Sequence, residues 1–175
     1  YEIHWRDWSS DVCSSDLKHY ETREVIPDEL ITKIQNQGTF NQGFMTTELL
    51  AAALLDMELH NLTDTDNLNV VAFEKETMDK LGLIPEIAPR YRATYFSHII
   101  GGYAAGYYSY LWAEVLDTDA FEAFKEHGVF DKNTADSFRK NILEKGGTED
   151  PMTLYRGFRG ADPSLEPLLK NRGLK

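Results

Sequence analysis

The sequence predicts an all-α fold, and three observations carry that prediction. No stretch alternates apolar and polar residues for long enough to argue for a β-strand. Apolar residues instead recur at helical spacing, as in Leu49, Leu50, Ala53, Leu54 and Met57. Residues that start and stop helices bracket most of these runs, and no internal repeat or low-complexity linker follows residue 17.

Taken in order, Thr46 or Thr47 stands where a cap is needed for the helix through Met57. Residues 67–81 make a second helix, ended by Gly82. Residues 83–89 hold two prolines, which bias the residue before each away from helix and so predict a turn. After a glycine-rich loop, a helix is expected from near Tyr103 through Leu111, Trp112 and Val115 to about Leu116. Asp119 and Glu122 fit a capping box for the next, which carries Phe121 and Phe124 and stops at Gly128. Asn133 or Thr134 opens another, with Phe138, Ile142 and Leu143 leading to Gly146-Gly147. Asp150-Pro151 supplies an N-cap followed by proline at the first helical position, with Leu154 and Tyr155 inside.

One segment is unlike the rest in composition. Residues 96–112 pack four tyrosines, three glycines and a histidine together. Tyr103, Tyr107 and Tyr110 are spaced i, i+4, i+7, so on a helix their phenols share one face. Such a stripe packs a core in many proteins, and Gly102 and Gly106, four apart, would let another backbone approach closely. Two features point to chemistry instead: His98 precedes a Gly-Gly pair able to swing a loop, and leucine and β-branched core fillers are scarce between 101 and 110. Hydroxyl donors are costly to hide without partners.

The run His98-x-x-Gly101-Gly102-Tyr103, followed by Gly106-Tyr107-Tyr108-x-Tyr110-Leu111-Trp112, resembles the carboxy-terminal signature of the thimet-oligopeptidase-like zinc metallopeptidases. That family includes oligopeptidase A and the bacterial peptidyl-dipeptidases. The resemblance extends to Phe40-Asn41-Gln42-Gly43-Phe44, to Ala51-Ala52-Ala53-Leu54-Leu55-Asp56, to Pro89-Arg90-Tyr91-Arg92, to Phe158-Arg159-Gly160 and to Arg172-Gly173-Leu174. It covers roughly residues 18 to 175. Pro-Arg-Tyr-Arg looks most like the peptidyl-dipeptidase branch, while the five-residue step from His98 to Tyr103 is the shorter of the family's loop forms. The resemblance implies the C-terminal helical part of a zincin-like catalytic domain. It also implies that His98, Tyr103 and Tyr110 act in catalysis, and that Tyr107, Gly101, Gly102 and Gly106 contact substrate on a glycine loop that moves as peptide binds. Phenols placed to meet the charge that grows on a peptide carbonyl oxygen are worth about 10²–10³ in rate each.

The family's zinc chemistry rests on H-E-x-x-H, two imidazoles one helical turn apart with a glutamate between them. His4, His19, His60, His98 and His127 are each isolated from that pattern. No metal ligands are therefore assigned in this chain, and zinc is expected to be held by residues upstream, in a missing N-terminal part of the same protein. Asp56 and His60 share a helix face as a weak metal pair, but a zinc site needs at least three ligands, and a solvated helix end is the plainer reading.

Residues 7–17 back-translate to a common short-read sequencing adapter, so residues 1–17 are read as an artefact with unrelated residues before it and are excluded from fold reasoning. Cys13, the one cysteine, falls there, which excludes a disulfide framework, a thiolate metal site and a cysteine nucleophile, and fits a reducing, cytoplasmic setting. The net charge is −11 overall; residues 1–17 contribute −3, leaving −8. That acidity argues against nucleic-acid binding, and no apolar run of about 18 residues predicts a membrane span. Gly101-Gly102-x-x-x-Gly106 lacks the dinucleotide spacing, while Asp64-x-Asp66 and Glu149-Asp150 read as loop and cap residues. Arg90 and Arg92, like Arg156 and Arg159, are placed either to grip a substrate carboxylate or to form surface ion pairs.

Two functions fit. One is part of a zinc oligopeptidase or peptidyl-dipeptidase that hydrolyses short peptides, with this piece supplying the cleft donors. The alternative is a non-catalytic helical module that binds peptide or another partner. An upstream reading frame encoding H-E-x-x-H separates them.

Overall fold

The computed structural model describes residues 18–175. The adapter reading, His4 and Cys13 lie outside the described residues. Within them the regular elements are helical: α1 (Asp28–Gly38), α2 (Gln42–His60), α3 (Val70–Lys80), a 3-10 helix (Ser97–Ile100), α4 (Ser109–His127), α5 (Lys132–Phe138) running into a π-helix (Arg139–Leu143), α6 (Pro151–Arg159) and α7 (Glu166–Asn171). The one β feature among them is an isolated antiparallel bridge between Lys18 and Val25. No helix of the described residues is long and apolar enough to cross a membrane.

The chain divides into two compact units, Asn41–Ala113 and a second made of the residues up to Phe40 with Glu114–Lys175. In the first, α2 is built from strong helix formers and buries Ala51, Ala52, Ala53, Leu55 and Asp56. Ala52 and Ala53 pack with Phe96, Ile99 and Tyr107. Ala51 and Leu55 pack with Met78 of α3, flanked by Phe73 and Leu83. The helix starts at Gln42, after Asn41 in the left-handed conformation, and not at a threonine cap. Thr47 instead donates its hydroxyl to the Gly43 carbonyl at 2.8 Å, the back-bond a threonine makes inside a helix. For α3 the side chain of Asn69 accepts from the Ala72 N–H at 3.1 Å, so the helix begins at Val70, later than expected from Asn67, whose φ is +60°. Gly82, at φ +70°, follows its end as expected.

In the second unit, α4 corrects the expectation of two helices separated near Asp119. No glycine or proline interrupts residues 109–127, and the Asp119 carboxylate is not free to cap. It is buried in mid-helix and accepts the Tyr155 hydroxyl at 2.5 Å. Gly128, at φ +108°, ends this single helix. Asp131, two or three residues earlier than expected, caps α5 by accepting from the Thr134 N–H at 2.7 Å. Asp150 caps α6 as expected, accepting from the Thr153 N–H at 3.0 Å, with Pro151 next. Phe124, Phe138 and Phe158 form a ring cluster with centroids 5.1–6.2 Å apart. Arg159 grips Glu126 with two hydrogen bonds of 2.9 and 2.8 Å, Arg156 pairs with Asp162 at 2.6 Å, and Arg172 pairs with Glu114 at 2.5 Å. These arginines are structural.

Candidate active site

The tyrosine-glycine segment lies wholly in the unit Asn41–Ala113. Its first part is the 3-10 helix that carries His98, its middle is a run of turns through Tyr108, and its end opens α4. The expectation that Tyr103, Tyr107 and Tyr110 lie on one helix is therefore corrected: only Tyr110 is helical. Glycines at 101, 102 and 106 disfavour helix, and Ala105 takes a left-handed φ of +51° that a helix excludes.

The rings converge nonetheless. Tyr103 and Tyr110 stack with centroids 5.3 Å apart and planes 22° from parallel. Tyr107 lies 5.0 Å from Tyr110, and His98 lies 6.0, 5.4 and 6.1 Å from Tyr103, Tyr107 and Tyr110. Burial then separates the three phenols. Tyr107 is 3% exposed, set edge-on against Phe96 at 4.9 Å, whereas Tyr103 and Tyr110 are 42% and 41% exposed. The packing reading holds for Tyr107, and the stacked pair is open to solvent.

Burial raises the Tyr107 phenol to a pKa of about 12, partly offset by the charge of Arg90. Tyr110 is also raised, first by a hydrogen bond with the Tyr103 side chain and then by burial. Both are protonated donors at neutral pH. Beside them, His98 Nδ1 is buried and meets no hydrogen-bond partner among the described residues. A ring nitrogen left so costs about 1–3 kcal/mol.

The glycines behave differently from one another. A Cβ on Gly102 would meet nothing within 4 Å, so no backbone packs on it among the described residues, contrary to the close-approach reading. One on Gly106 would sit 3.5 Å from the Tyr103 carbonyl oxygen, an ordinary contact. The space beside Gly102 is open, while a Cβ on Gly101 would meet the His98 carbonyl oxygen at 4.0 Å.

Of Asp56 and His60, only His60, the last residue of α2, is at a solvated helix end. Asp56 is fully buried, with Oδ1 accepting the Ala105 N–H and Oδ2 the Tyr107 N–H, each at 2.9 Å. His60 Nδ1 lies 2.9 Å from Oδ1 and 2.9 Å from the Asp56 carbonyl oxygen. Both neighbours are acceptors, so this nitrogen carries the proton. The signal was present in the sequence: Asp56 shares the apolar stripe of Ala52, Leu55 and Leu59. Tyr91 was passed over as well; its ring packs 5.1 Å from Phe96 and 4.7 Å from His98.

The two arginines of the Pro-Arg-Tyr-Arg run part ways. Arg92 pairs with buried Glu74, whose other oxygen accepts the Ala93 N–H at 2.7 Å, so Arg92 is structural. Arg90 acts on Tyr107 and Tyr110 through its charge. No three His, Cys, Asp or Glu side chains among the described residues come together as a metal site.

The sequence profile of peptidase family M3 matches residues 6–174. The chain is 44% identical over 164 residues to the dipeptidyl carboxypeptidase of Escherichia coli (strain K12), covering 90% of this chain and 24% of that protein. It is 37% identical over 169 residues to oligopeptidase A of Haemophilus influenzae, covering 95% of this chain and 25% of that protein. With saccharolysin of Saccharomyces cerevisiae the identity is 30% over 172 residues, covering 96% of this chain and 24% of that protein. The chain thus spans about a quarter of the length of the curated relatives it matches. With a family match over nearly all its residues, the chain belongs to peptidase family M3.

Proposed function

We propose that the protein containing this chain is a zinc-dependent peptidase that hydrolyses short peptides. In this reading residues 18–175 are the C-terminal part of its catalytic domain, residues 7–17 come from an adapter junction, and the setting is cytoplasmic. The observation that carries the reading is the convergence of His98, Tyr103 and Tyr110 on one open surface, with buried Tyr107 behind them. The names of the relatives support short peptides as substrates. The Pro89-Arg90-Tyr91-Arg92 run favours release of dipeptides from carboxy termini.

Zinc belongs to this proposal through the family. The described residues do not fit a zinc site, so its ligands are assigned elsewhere in the protein and no step here passes through it. This chain's own part is electrostatic. As water adds to a peptide carbonyl, charge grows on the oxygen, and a preorganised donor stabilises the transition state more than the ground state. Tyr103 and Tyr110 are half-open phenols whose rings stack 5.3 Å apart. Their hydroxyls take the oxyanion and the adjacent substrate backbone, with His98 assisting. Tyr107 buttresses them from within, which shifts its role from direct substrate contact to support. Open space at Gly102, next to Gly101, admits the peptide main chain, with Gly106 in the turn beyond.

Steady-state kinetics of Tyr103→Phe and Tyr110→Phe in the full-length protein test this reading. The expected result is a fall in kcat that exceeds any rise in KM. Unchanged kcat in both would return the two tyrosines to a packing role.

A further inference from the structure

The turns between Ile100 and Ser109 carry three glycines and no regular hydrogen-bond ladder, yet the proposed site needs Tyr103, Tyr107 and Tyr110 in register. What holds them is a carboxylate about fifty residues upstream. Asp56 is fully buried and spends both oxygens on this loop, accepting the Ala105 N–H and the Tyr107 N–H at 2.9 Å each. Between those two donors lies Gly106, and Ala105 is held at φ +51°, where a non-glycine residue stays only if its surroundings over-determine it. His60, one turn along α2, hydrogen-bonds the Asp56 carbonyl oxygen through Nδ1 at 2.9 Å and brings the same nitrogen 2.9 Å from Asp56 Oδ1, flanking the carboxylate.

We propose that Asp56, oriented by His60, is a positioning residue for the tyrosine wall. It sets the backbone at Ala105 and Tyr107, Tyr107 sets its ring 5.0 Å from Tyr110, and Tyr110 stacks on Tyr103. Asp56 touches none of the phenol hydroxyls, so it acts through the loop. The inference rests on the catalytic reading above, and its test separates the two.

In the full-length protein, Asp56→Asn retains the side chain's size but turns an N–H₂ toward at least one backbone donor. Losing hydrogen bonds to a charged acceptor predicts that amide exchange in the loop peptide 101–108, read by mass spectrometry, accelerates about tenfold or more. It also predicts that kcat falls about tenfold or more while KM moves less than about threefold. His60→Ala, at a side chain one-third exposed, is the milder variant if Asp56→Asn does not fold. It should shift the same two readouts in the same direction by about threefold. Asp79→Asn, on the exposed face of α3, is the control and should move neither. Unchanged loop exchange in Asp56→Asn, or in His60→Ala when only that variant folds, overturns the proposal. Faster exchange with unchanged kcat overturns it too; in that case Tyr103→Phe and Tyr110→Phe decide whether the catalytic reading survives or falls with it.

Discussion

Replacing Tyr155 by Phe removes one hydroxyl from a buried pair and should cost the second unit about 2–3 kcal/mol. The hydroxyl donates to Asp119 Oδ2 at 2.5 Å, and Asp119 is 4% exposed. Without it, the nearest cation, Arg159 Nε, stands 3.5 Å from that oxygen, too far for a good hydrogen bond. A buried carboxylate oxygen left poorly paired loses about 1.5–3 kcal/mol, with the carbonyl of Leu116 adding little at 3.4 Å. Alkaline pH gives the effect a signature. Burial first, and then the bond to Asp119, raise the Tyr155 phenol above its ordinary 10.0. A raised folded-state pKa contributes stability that is complete below the unfolded value and is lost as pH climbs from there toward the folded value. The deficit of Tyr155→Phe relative to wild type should therefore be constant up to about pH 9.5, then shrink by up to about 1.4 kcal/mol per pH unit above 10. Urea unfolding of both proteins at pH 8, 9 and 11, followed by far-UV circular dichroism, measures it. A cost under about 0.5 kcal/mol at pH 8, or a deficit equal at pH 9 and 11, would show that the Tyr155–Asp119 bond does not hold this unit together.

Two further outcomes concern the site and its surroundings. Arg90→Gln should raise KM about tenfold for a peptide with a free carboxy terminus and leave the corresponding carboxamide unaffected, because the positive charge that lowers the Tyr107 and Tyr110 phenols can recognise a carboxylate; equal effects on both substrates would remove that role. The 175-residue chain alone should bind a hydrophobic dye through Ile100, Phe130 and Phe40, which are 86%, 83% and 71% exposed, and should show no chelator-sensitive cleavage of short peptides. Robust cleavage by the purified chain would mean that the catalytic groups are complete within it.

Where a structural cause is local, the sequence reveals it. Asp150-Pro151 and Gly128 announce the start of α6 and the end of α4 because a cap or a left-handed glycine involves neighbours within four residues. Asp119 misleads for the opposite reason: it looks like a cap, but its partner Tyr155 lies 36 residues away and draws it into a core. Thr47 misleads in a smaller way, since a hydroxyl inside a helix and one at its start are alike in composition. The site shows the same division. The grouping of His98, Tyr103, Tyr107 and Tyr110 follows from the family resemblance, whereas the i, i+4, i+7 spacing points to a helix that turns replace. The unequal burial of the phenols, and the carboxylate of Asp56 beneath them, depend on contacts 49 and 51 residues apart that no local pattern encodes.

The phenol pair is the crux, and a double-mutant cycle on kcat in the full-length protein addresses it directly. Tyr103→Phe and Tyr110→Phe should each lower kcat, by about 10²–10³ for whichever hydroxyl takes the oxyanion. Because the two rings stack with centroids 5.3 Å apart, the double variant should lose less than the product of the single losses. Single and double variants that all keep the wild-type kcat would contradict the assignment and return these tyrosines to packing.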